Sequence, residues 1–250
     1  MNRGIYTAAT AMISQRRRMD VVTSNLANAT TPGYKEDTLL SRSFQDLLVQ
    51  RINDPAVVGA APEVGPMNTG IHVDMVATSF EQGVIEQTGR DLDLALEGPG
   101  FFTVQTPDGE RYTRSGSFRV SAAGELETIS GHRVLGENGP IPVSDASFSV
   151  DSSGTVRSDA GVFQLRISGF DDLGVLRKDG SGLYSIYGGG EPGTDMDTVV
   201  RQGALEQSNV DLAGQMVEMI EITRSHELNQ RIVRMMDEKL GKSVSEIGRL

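Results

Sequence analysis

The sequence predicts an α+β fold, with one discontinuous helical domain built from both chain ends and a separate all-β domain between them. Apolar residues near each terminus recur at intervals of three and four, as in helices that pack as a coiled coil. The long middle instead alternates with period two between frequent turn residues. The predicted boundaries are 1–30 and 208–250 for the helical domain, 31–70 and 198–207 for the connectors, and 71–197 for the β domain.

The first helix is predicted from an apolar seam that starts close to the N-terminus. Only Gln15 interrupts the spacing of three and four residues. The basic run Arg16-Arg17-Arg18 falls at positions e, f and g beside this seam, where charges usually pair with a neighbouring helix. The helix should end within 25–33, which is rich in turn formers and helix breakers. The seam residues are Ile5, Ala8, Met12, Met19, Val22 and Leu26.

A second amphipathic helix is predicted near the C-terminus. Ser208 or Asn209 is a plausible N-cap, and Asp211 lies where a negative charge favours the helix dipole. The largely polar stretch 224–231 interrupts the apolar stripe, which suggests that the helix changes its partner there. The stripe consists of Met216, Met219, Ile220, Thr223, Val233, Met236, Leu240, Val244 and Ile247.

The segment after the first helix carries weaker signals. Phe44, Leu47, Leu48 and Ile52 have helical spacing, so a short helix is predicted, ending before Pro55. The stretch 54–70 contains three prolines and three glycines. It is predicted to be an extended, mobile linker without a core of its own.

The β domain is predicted from about Ile71, where the period changes to two. Helical patterns are absent between the strand candidates, which disfavours a parallel α/β sheet and fits a sandwich or an irregular barrel. The domain should end near the glycine run 188–190. The further strand candidates are 92–96, 101–105, 116–120, 132–135, 148–150, 162–170 and 183–187.

Composition narrows the possible functions. The chain has no cysteine, which excludes disulfides, thiolate metal sites and cysteine nucleophiles, and its net charge of −11 argues against a nucleic-acid partner. The N-terminus lacks the charged-then-apolar layout of a secretory signal, and no apolar stretch approaches the roughly 20 residues needed to span a bilayer. We therefore expect a cytosolic chain, or one exported without cleavage of a signal peptide.

The sequence contains few candidate catalytic or metal-binding residues. The three histidines are far apart, and Asp91, Asp93 and Glu97 lack the spacing and central glycine of an EF-hand calcium loop. No nucleophile elbow, P-loop or dinucleotide fingerprint is present. We therefore expect no catalytic residue, no metal, no cofactor and no small-molecule substrate. A hydrolase would need a convergent pocket that holds a perturbed carboxylate.

Three segments together resemble the FlgF/FlgG family of bacterial flagellar basal-body rod proteins. They are Asn25-Leu-Ala-Asn-Ala-Thr-Thr-Pro-Gly-Tyr-Lys35, the middle blocks 92–102, 112–118, 124–126 and 134–141, and Gly203-Ala-Leu-Glu-Gln-Ser-Asn-Val-Asp-Leu212. The resemblance covers nearly the whole chain. Its motif residues are Asn25, Leu26, Ala27, Asn28, Thr31, Pro32, Gly33, Tyr34, Ser208, Asn209, Val210 and Asp211.

The resemblance implies a structural subunit that polymerises helically through its terminal helices and transmits torque from motor to hook. It implies export by the flagellar type III apparatus and a place in the basal body, within periplasm or cell wall. The implied partners are further copies of the chain and other rod, hook-proximal and export-gate proteins. The assembly interface is expected to comprise Ile5, Ala8, Met12, Met19, Val22, Leu26, Met216, Ile220, Val233, Met236, Leu240 and Val244.

Two alternatives stay open at this point. The first concerns the subtype: no obvious insertion lies between Tyr34 and Ile71, which favours a proximal-rod, FlgF-like protein over a distal-rod, FlgG-like one. The second is a secreted β-rich binding module whose helices form an oligomerising stalk. That module would need an exposed aromatic platform, for which Tyr112, Tyr184 and Tyr187 are the candidates.

Overall fold

The computed structural model describes residues 3–50, 63–143, 148–189, 192–194 and 197–248, and the chain divides into two compact units. The helical unit comprises Met1–Leu26, Asp37–Thr78 and Asp211–Leu250, and the β unit comprises Ala27–Glu36 and Ser79–Val210. The segments expected to be connectors are thus divided between the units, with 31–36 and 198–207 in the β unit and 37–70 in the helical unit.

The helical unit contains two long helices, as the apolar periodicity predicts. Helix α1 spans Arg3–Ala27 and helix α2 spans Leu212–Ile247. At 1.5 Å per residue they are about 37 and 54 Å long. The N-cap of α2 is Asp211, whose side chain accepts a hydrogen bond of 3.1 Å from the amide of Ala213. The prediction of Ser208 or Asn209 as the cap was wrong, because the helix begins later.

The two helices run antiparallel beside each other. Asn25, near the end of α1, donates a hydrogen bond of 3.3 Å to Gln215 at the start of α2. At the other end, a Cβ built on Gly4 would lie 2.8 Å from the terminal methyl carbon of Met236. Coiled-coil packing of the helices stays a prediction.

Two antiparallel strand pairs complete the helical unit. Strand β1 (Asp37–Ser43) pairs with β4 (Ile71–Thr78), and β2 (Leu47–Gln50) pairs with β3 (Glu63–Met67). The predicted helix at 44–52 was wrong over its described part, because Leu47 and Leu48 pair with Met67 and Pro66. Residues 63–70, expected to be linker, contain β3. Ile52 and residues 54–62 lie outside the described residues.

The β unit contains short antiparallel strands over its described residues. In chain order they are β5 (Ile85–Gln87), β6 (Leu94–Glu97), β7 (Phe101–Thr106), β8 (Gly109–Thr113), β9 (Phe118–Val120), β10 (Leu126–Thr128), β11 (Arg133–Gly136), β12 (Gly139–Pro140), β13 (Ser149–Val150), β14 (Thr155–Ser158), β15 (Gly161–Gln164), β16 (Ile167–Gly169), β17 (Leu176–Lys178), β18 (Leu183–Ile186), β19 (Gly193–Thr194), β20 (Val199–Gln202) and β21 (Ala204–Glu206). A 3-10 turn, Leu173–Val175, precedes β17.

A ten-stranded sheet dominates this unit, with the path β17-β18-β8-β7-β11-β10-β9 and with β12, β16 and β19 attached to its side. Strands β13, β14 and β15 form a second sheet, and β20 pairs with β6 and β21 with β5. The mixed α+β class is confirmed, and a described strand overlaps each strand candidate. The candidate 162–170, however, contains two strands, β15 and β16, and the strand that starts at Ile71 belongs to the helical unit and not to the β unit. The unit continues past the glycine run 188–190, however, because the last two strands return to pair with β5 and β6.

The β unit has two apolar clusters, and two adjacent phenylalanines of β7 belong one to each. Because neighbouring strand residues point to opposite faces, Phe102 and Phe101 enter different clusters. Phe102 meets Phe118 edge to face, with ring centroids 5.1 Å apart, in the larger cluster. Phe101 packs similarly against Tyr184 at 5.7 Å in the smaller one.

Replacing Phe102 with alanine should lower the free energy of unfolding of the β unit by about 3 to 5 kcal/mol, because the ring is fully buried and leaves a cavity. Urea denaturation followed by circular dichroism measures the change. The control is Val162→Ala, at an exposed position of β15, which should change stability by about 0.5 kcal/mol or less. Equal losses in the two variants would contradict the core assignment.

Candidate assembly surfaces and a buried ionic latch

A buried carboxylate binds two cations in the β unit. Glu206, at the end of β21, accepts from the ammonium of Lys35 at 2.6 Å and from Nε of Arg114 at 2.8 Å, one cation on each carboxylate oxygen. The three side chains are 1%, 1% and 3% exposed. We call Lys35, Arg114 and Glu206 the ionic latch. It joins three segments that are far apart in sequence.

The latch carries one positive charge in excess, which backbone groups help to stabilise. Lys35 donates to the carbonyl of Glu81 at 2.6 Å, and Arg114 donates to the carbonyls of Gly98 and Gly100. Burial lowers the pKa of the Lys35 ammonium, although the hydrogen bond and the charge of Glu206 act in the opposite direction. The carboxylate is therefore essential to hold both cations away from water.

The motif turn 28–34 leads into the latch. The hydroxyl of Thr31 donates to the side chain of Asn28 at 3.2 Å, and the amide of Tyr34 donates to the carbonyl of Thr31. Gly33 has a φ of +69°, and its amide donates to the carbonyl of Glu206 at 2.7 Å. A Cβ at Gly33 would lie 2.5 Å from backbone atoms of Arg114, so a side chain cannot fit.

Lys178 covers the next part of the motif. Its ammonium lies 4.0 Å from the centroid of the buried Tyr34 ring and donates to the carbonyl of Lys35 at 2.6 Å. This combines a cation–π contact with a charge-assisted hydrogen bond. Lys178 therefore holds both Tyr34, through its ring, and Lys35, through its backbone carbonyl.

Asn209 binds two further backbone segments of the β unit. Its side-chain oxygen accepts from the amide of Glu36 at 2.7 Å, and its side-chain nitrogen donates to the carbonyls of Ser79 and Glu81 at 3.0 Å. Ser79 in turn donates its amide to the carbonyl of Glu36 at 2.8 Å. Asn209 of the C-terminal motif therefore joins the end of the segment Ala27–Glu36 to the start of the segment Ser79–Val210.

Asn25 plays a comparable part in the helical unit. Its amide group donates to the carbonyl of Asp37 at 2.7 Å and accepts from the amide of Asp37 at 3.0 Å, as a neighbouring strand would. The same side chain donates to Gln215 of α2. Asn25 is almost fully buried, and it positions the start of β1 against both helices.

Polar side chains also connect the two helices along their length. Arg18 pairs with Glu218 at 2.5 Å, and Gln15 donates to Ser225 and accepts from Asn229 at 3.3 Å. The polar stretch 224–231 therefore still faces α1. The prediction that the helix changes its partner there was wrong, because Gln15, the residue that breaks the first seam, supplies the complementary polar groups.

The predicted assembly residues divide by their exposure in the single chain. Within α1, Ala8 and Val22 are buried, and Ile5, Met12, Met19 and Leu26 are half-buried. Within α2, Val233 and Leu240 are half-buried, whereas Met216, Ile220, Met236 and Val244 are exposed. Gln215 and Ile222 are buried on α2 instead, and sequence reasoning missed both. Contact of the predicted residues with another subunit stays a prediction.

A second group of exposed apolar side chains lies on α2, away from the face that meets α1. Its four members are between 52% and 58% exposed, fall within an arc of about 80° at 100° per residue, and are centred roughly 130° around the helix from the residues that contact α1. Arg224 and Arg231 lie within the same arc. We call this set the outer stripe: Val217, Ile220, Leu228 and Met235. On α1, Tyr6 and Ile13 are similarly exposed and lie two turns apart.

Sequence reasoning did not identify the ionic latch as a unit. Lys35, Arg114 and Glu206 all lie within segments that carry the family resemblance. The polar composition of those segments, however, indicates turns, and no periodicity links ionisable residues so far apart. The one available signal was a charged residue between apolar neighbours in Ala204-Leu-Glu206, which form a fully buried strand.

The described residues contain no cluster of three or more histidine, cysteine or acidic side chains that could hold a metal ion. Asp93 accepts from Thr88 at 2.8 Å and pairs with Arg90 at 3.2 Å, while Glu97 pairs with Arg201. These carboxylates have structural partners. Among the described helices, none has a stretch long and apolar enough to cross a membrane.

Comparison with known proteins assigns the family. Residues 5–35 match the family "Flagella basal body rod protein", residues 95–158 match "Flagellar hook protein FlgE/F/G D1 domain", and residues 201–246 match "Flagellar basal body rod FlgEFG protein C-terminal". The chain is 34% identical to the flagellar hook-basal body complex protein FlhO of Bacillus subtilis over the full length of both proteins. The chain belongs to the FlgF/FlgG family of flagellar basal-body rod proteins.

FlgF and FlgG relatives match to a similar extent. Identity is 34% with the basal-body rod protein FlgF of Caulobacter vibrioides, over 100% of this chain and 98% of the relative. It is 33% with FlgG of Bacillus subtilis, over 98% and 99%. As a member of the FlgF/FlgG family the chain is a structural rod subunit, and its assignment to the proximal rod stays a prediction.

Removing the charge of Glu206 should destabilise this rod protein strongly. Glu206→Gln leaves two buried cations without a counterion, and the free energy of unfolding should fall by about 3 to 5 kcal/mol. Chemical denaturation measures the loss. The control is Glu97→Gln, which removes an ion pair that is about half exposed and should cost about 1 kcal/mol or less. Equal stability of the two variants would show that the latch contributes nothing.

Proposed function

We propose that this rod subunit polymerises helically through its two terminal helices and transmits torque from the motor to the hook. The observation that supports this proposal is the outer stripe of α2. A helix with one apolar face is satisfied by one partner, whereas α2 carries four further exposed apolar side chains that point away from α1. Those side chains are available to a neighbouring subunit.

The energetic argument favours assembly over a stable monomeric role. The four side chains of the outer stripe stay more than half exposed, so burying them against another subunit removes apolar area from water at about 25 cal/mol per Å². Helices of this length also gain most of their stability from packing and not from propensity. The interface therefore forms where a growing end presents a complementary surface.

The same proposal assigns roles to the predicted interface residues. Three exposed members, Met216, Ile220 and Val244, contact other subunits. The buried and half-buried members of both helices support the pairing of α1 with α2, as does Met236, which lies beside Gly4. The β unit is a separate folded unit, whose fold the ionic latch maintains. Heterologous, head-to-tail contacts of this kind generate open helical filaments.

The proposed setting follows from the rod family. Other rod proteins, hook-proximal proteins and the export gate are the proposed partners, and the chain leaves the cell unfolded to reach the periplasm or cell wall. The proximal rod is the proposed location. The binding-module alternative loses support because Tyr112 and Tyr184, two of its three candidate platform residues, are buried.

Replacing Ile220 with aspartate should abolish swimming without unfolding the protein. The side chain is 52% exposed in the single chain, so the carboxylate is tolerated there, whereas burial in a subunit interface leaves it without a partner. Motility in soft agar and the amount of this protein in purified basal bodies measure the effect. We expect at least a tenfold loss of incorporated protein.

The matched control is Gln230→Asp, an exposed position of α2 away from the outer stripe. This variant should swim and assemble normally. Circular dichroism and thermal melting of both purified variants should match the parent protein. Normal motility and incorporation of Ile220→Asp would remove the outer stripe from the interface.

A further inference from the structure

The chain passes between the helical unit and the β unit at four points, which follow Leu26, Glu36, Thr78 and Val210. At the last three of these points the β unit begins or ends in a short segment. Force that travels along the chain from one unit to the other therefore enters the β unit through these segments. We call them the exit segments: 34–36, 79–81 and 206–210.

The side chain of Asn209, in the third exit segment, binds the other two at once. It accepts from the amide of Glu36 at 2.7 Å and donates to the carbonyls of Ser79 and Glu81 at 3.0 Å. The backbone amide of Asn209 donates to the carbonyl of Tyr34 at 3.4 Å. The amide of Ser79 also donates to the carbonyl of Glu36 at 2.8 Å. Each exit segment is therefore hydrogen-bonded to both of the others.

The ionic latch adds a buried anchor to the same three segments. Lys35 belongs to the first segment and Glu206 to the third, and their side chains are each 1% exposed. In the second segment, the carbonyl of Glu81 accepts from both Lys35 and Asn209. Moving one segment away from the others would leave a buried charge without its partner, so the latch resists such a movement.

The position of Asn209 makes it the first side chain of this network to receive a pull from the C-terminal helix. It directly precedes Val210, the last residue of the β unit before α2. Hydrogen bonds that share a force must break together, whereas bonds that receive it in turn break one by one. With the Asn209 side chain in place, a pull on Val210 is shared with the segments of Glu36 and Ser79.

We propose that Asn209 and the ionic latch form a mechanical anchor, which distributes force transmitted along the chain over all three exit segments of the β unit. The proposal rests on the proposed function, in which the subunit carries torque. It assigns to Asn209 a positioning role that goes beyond the stability of the fold. The consequence is a resistance to force that depends on where the force is applied.

Pulling single molecules of the full chain from chosen points tests the anchor. The chain has no cysteine, so a pair of introduced cysteines defines the two points of attachment. Leu212→Cys with Val162→Cys applies force across the crossing after Val210, whereas Ile129→Cys with Val162→Cys applies it within the β unit. These three positions are between 45% and 68% exposed.

Asn209→Ala should lower the unfolding force of the β unit at least twofold when the pull crosses Val210, and leave it nearly unchanged when the pull lies within the unit. The matched control is Asn138→Ala, at an exposed asparagine of the β unit, which should match the parent protein in both directions. An equal loss in both directions would show that Asn209 only stabilises the fold. An unchanged force across the crossing would show that the anchor carries none; either result overturns the proposal.

A second variant keeps the test decisive if Asn209→Ala does not fold, which circular dichroism establishes beforehand. Asn209→Ser retains a hydrogen-bonding group but is too short to bind all three exit segments. Its unfolding force should fall by the same factor across the crossing only. A force equal to that of the parent in this direction would contradict the role of the Asn209 side chain.

The host bacterium provides a measurement of the same anchor in the assembled rod. The Asn209→Ala strain should incorporate this protein into basal bodies as the parent does, and should swim at the parent's speed in plain medium. In viscous methylcellulose medium its speed should fall at least twofold below that of the parent, and equal speeds there would contradict the proposal. Failure of the proposed function has a different signature, since the parent protein itself would then be absent from purified basal bodies.

Discussion

The β unit depends on one buried carboxylate that balances two buried cations. Glu206 holds Lys35 and Arg114 together, and each of the three comes from a different segment of the chain. A buried ion pair is a poor source of net stability but a strong constraint on geometry, because separating the partners leaves a charge without compensation. The surrounding turn, strands and carbonyl groups must therefore meet in one arrangement.

This constraint explains why several motif residues of the family resemblance are needed for the fold. Gly33 permits the turn that directs Lys35 inward, and Asn209 hydrogen-bonds the backbone on both sides of the same region. Asn25 uses the same amide chemistry in the helical unit, where it substitutes for a neighbouring strand beside Asp37. These motif residues stabilise the fold of each unit, whereas the exposed apolar residues of α2 are available for assembly.

The helical unit uses different residues of α2 to pair with α1 and to present apolar surface to solvent. Polar groups such as Gln15, Ser225 and Asn229 fix the pairing of α1 with α2, because hydrogen-bond partners must match in position where apolar contacts tolerate sliding. The apolar residues of the outer stripe stay more than half exposed in the single chain. A subunit whose helices pair through specific polar contacts, and which leaves apolar side chains exposed, is suited to polymerise.

Periodicity and turn chemistry by themselves determined that helices lie near both ends and that short strands lie between them, because local spacing reports which face of an element is buried. They also located nine of the 21 described strands. The tertiary structure alone decided that Leu47 and Leu48 pair with β3, that Asp211 caps α2, and that Ile222 faces inward while Ile220 faces outward. It alone also brought Lys35, Arg114 and Glu206 together. Those outcomes depend on partners distant in sequence, and a local pattern carries no information about which distant group will satisfy a buried charge or an open strand edge.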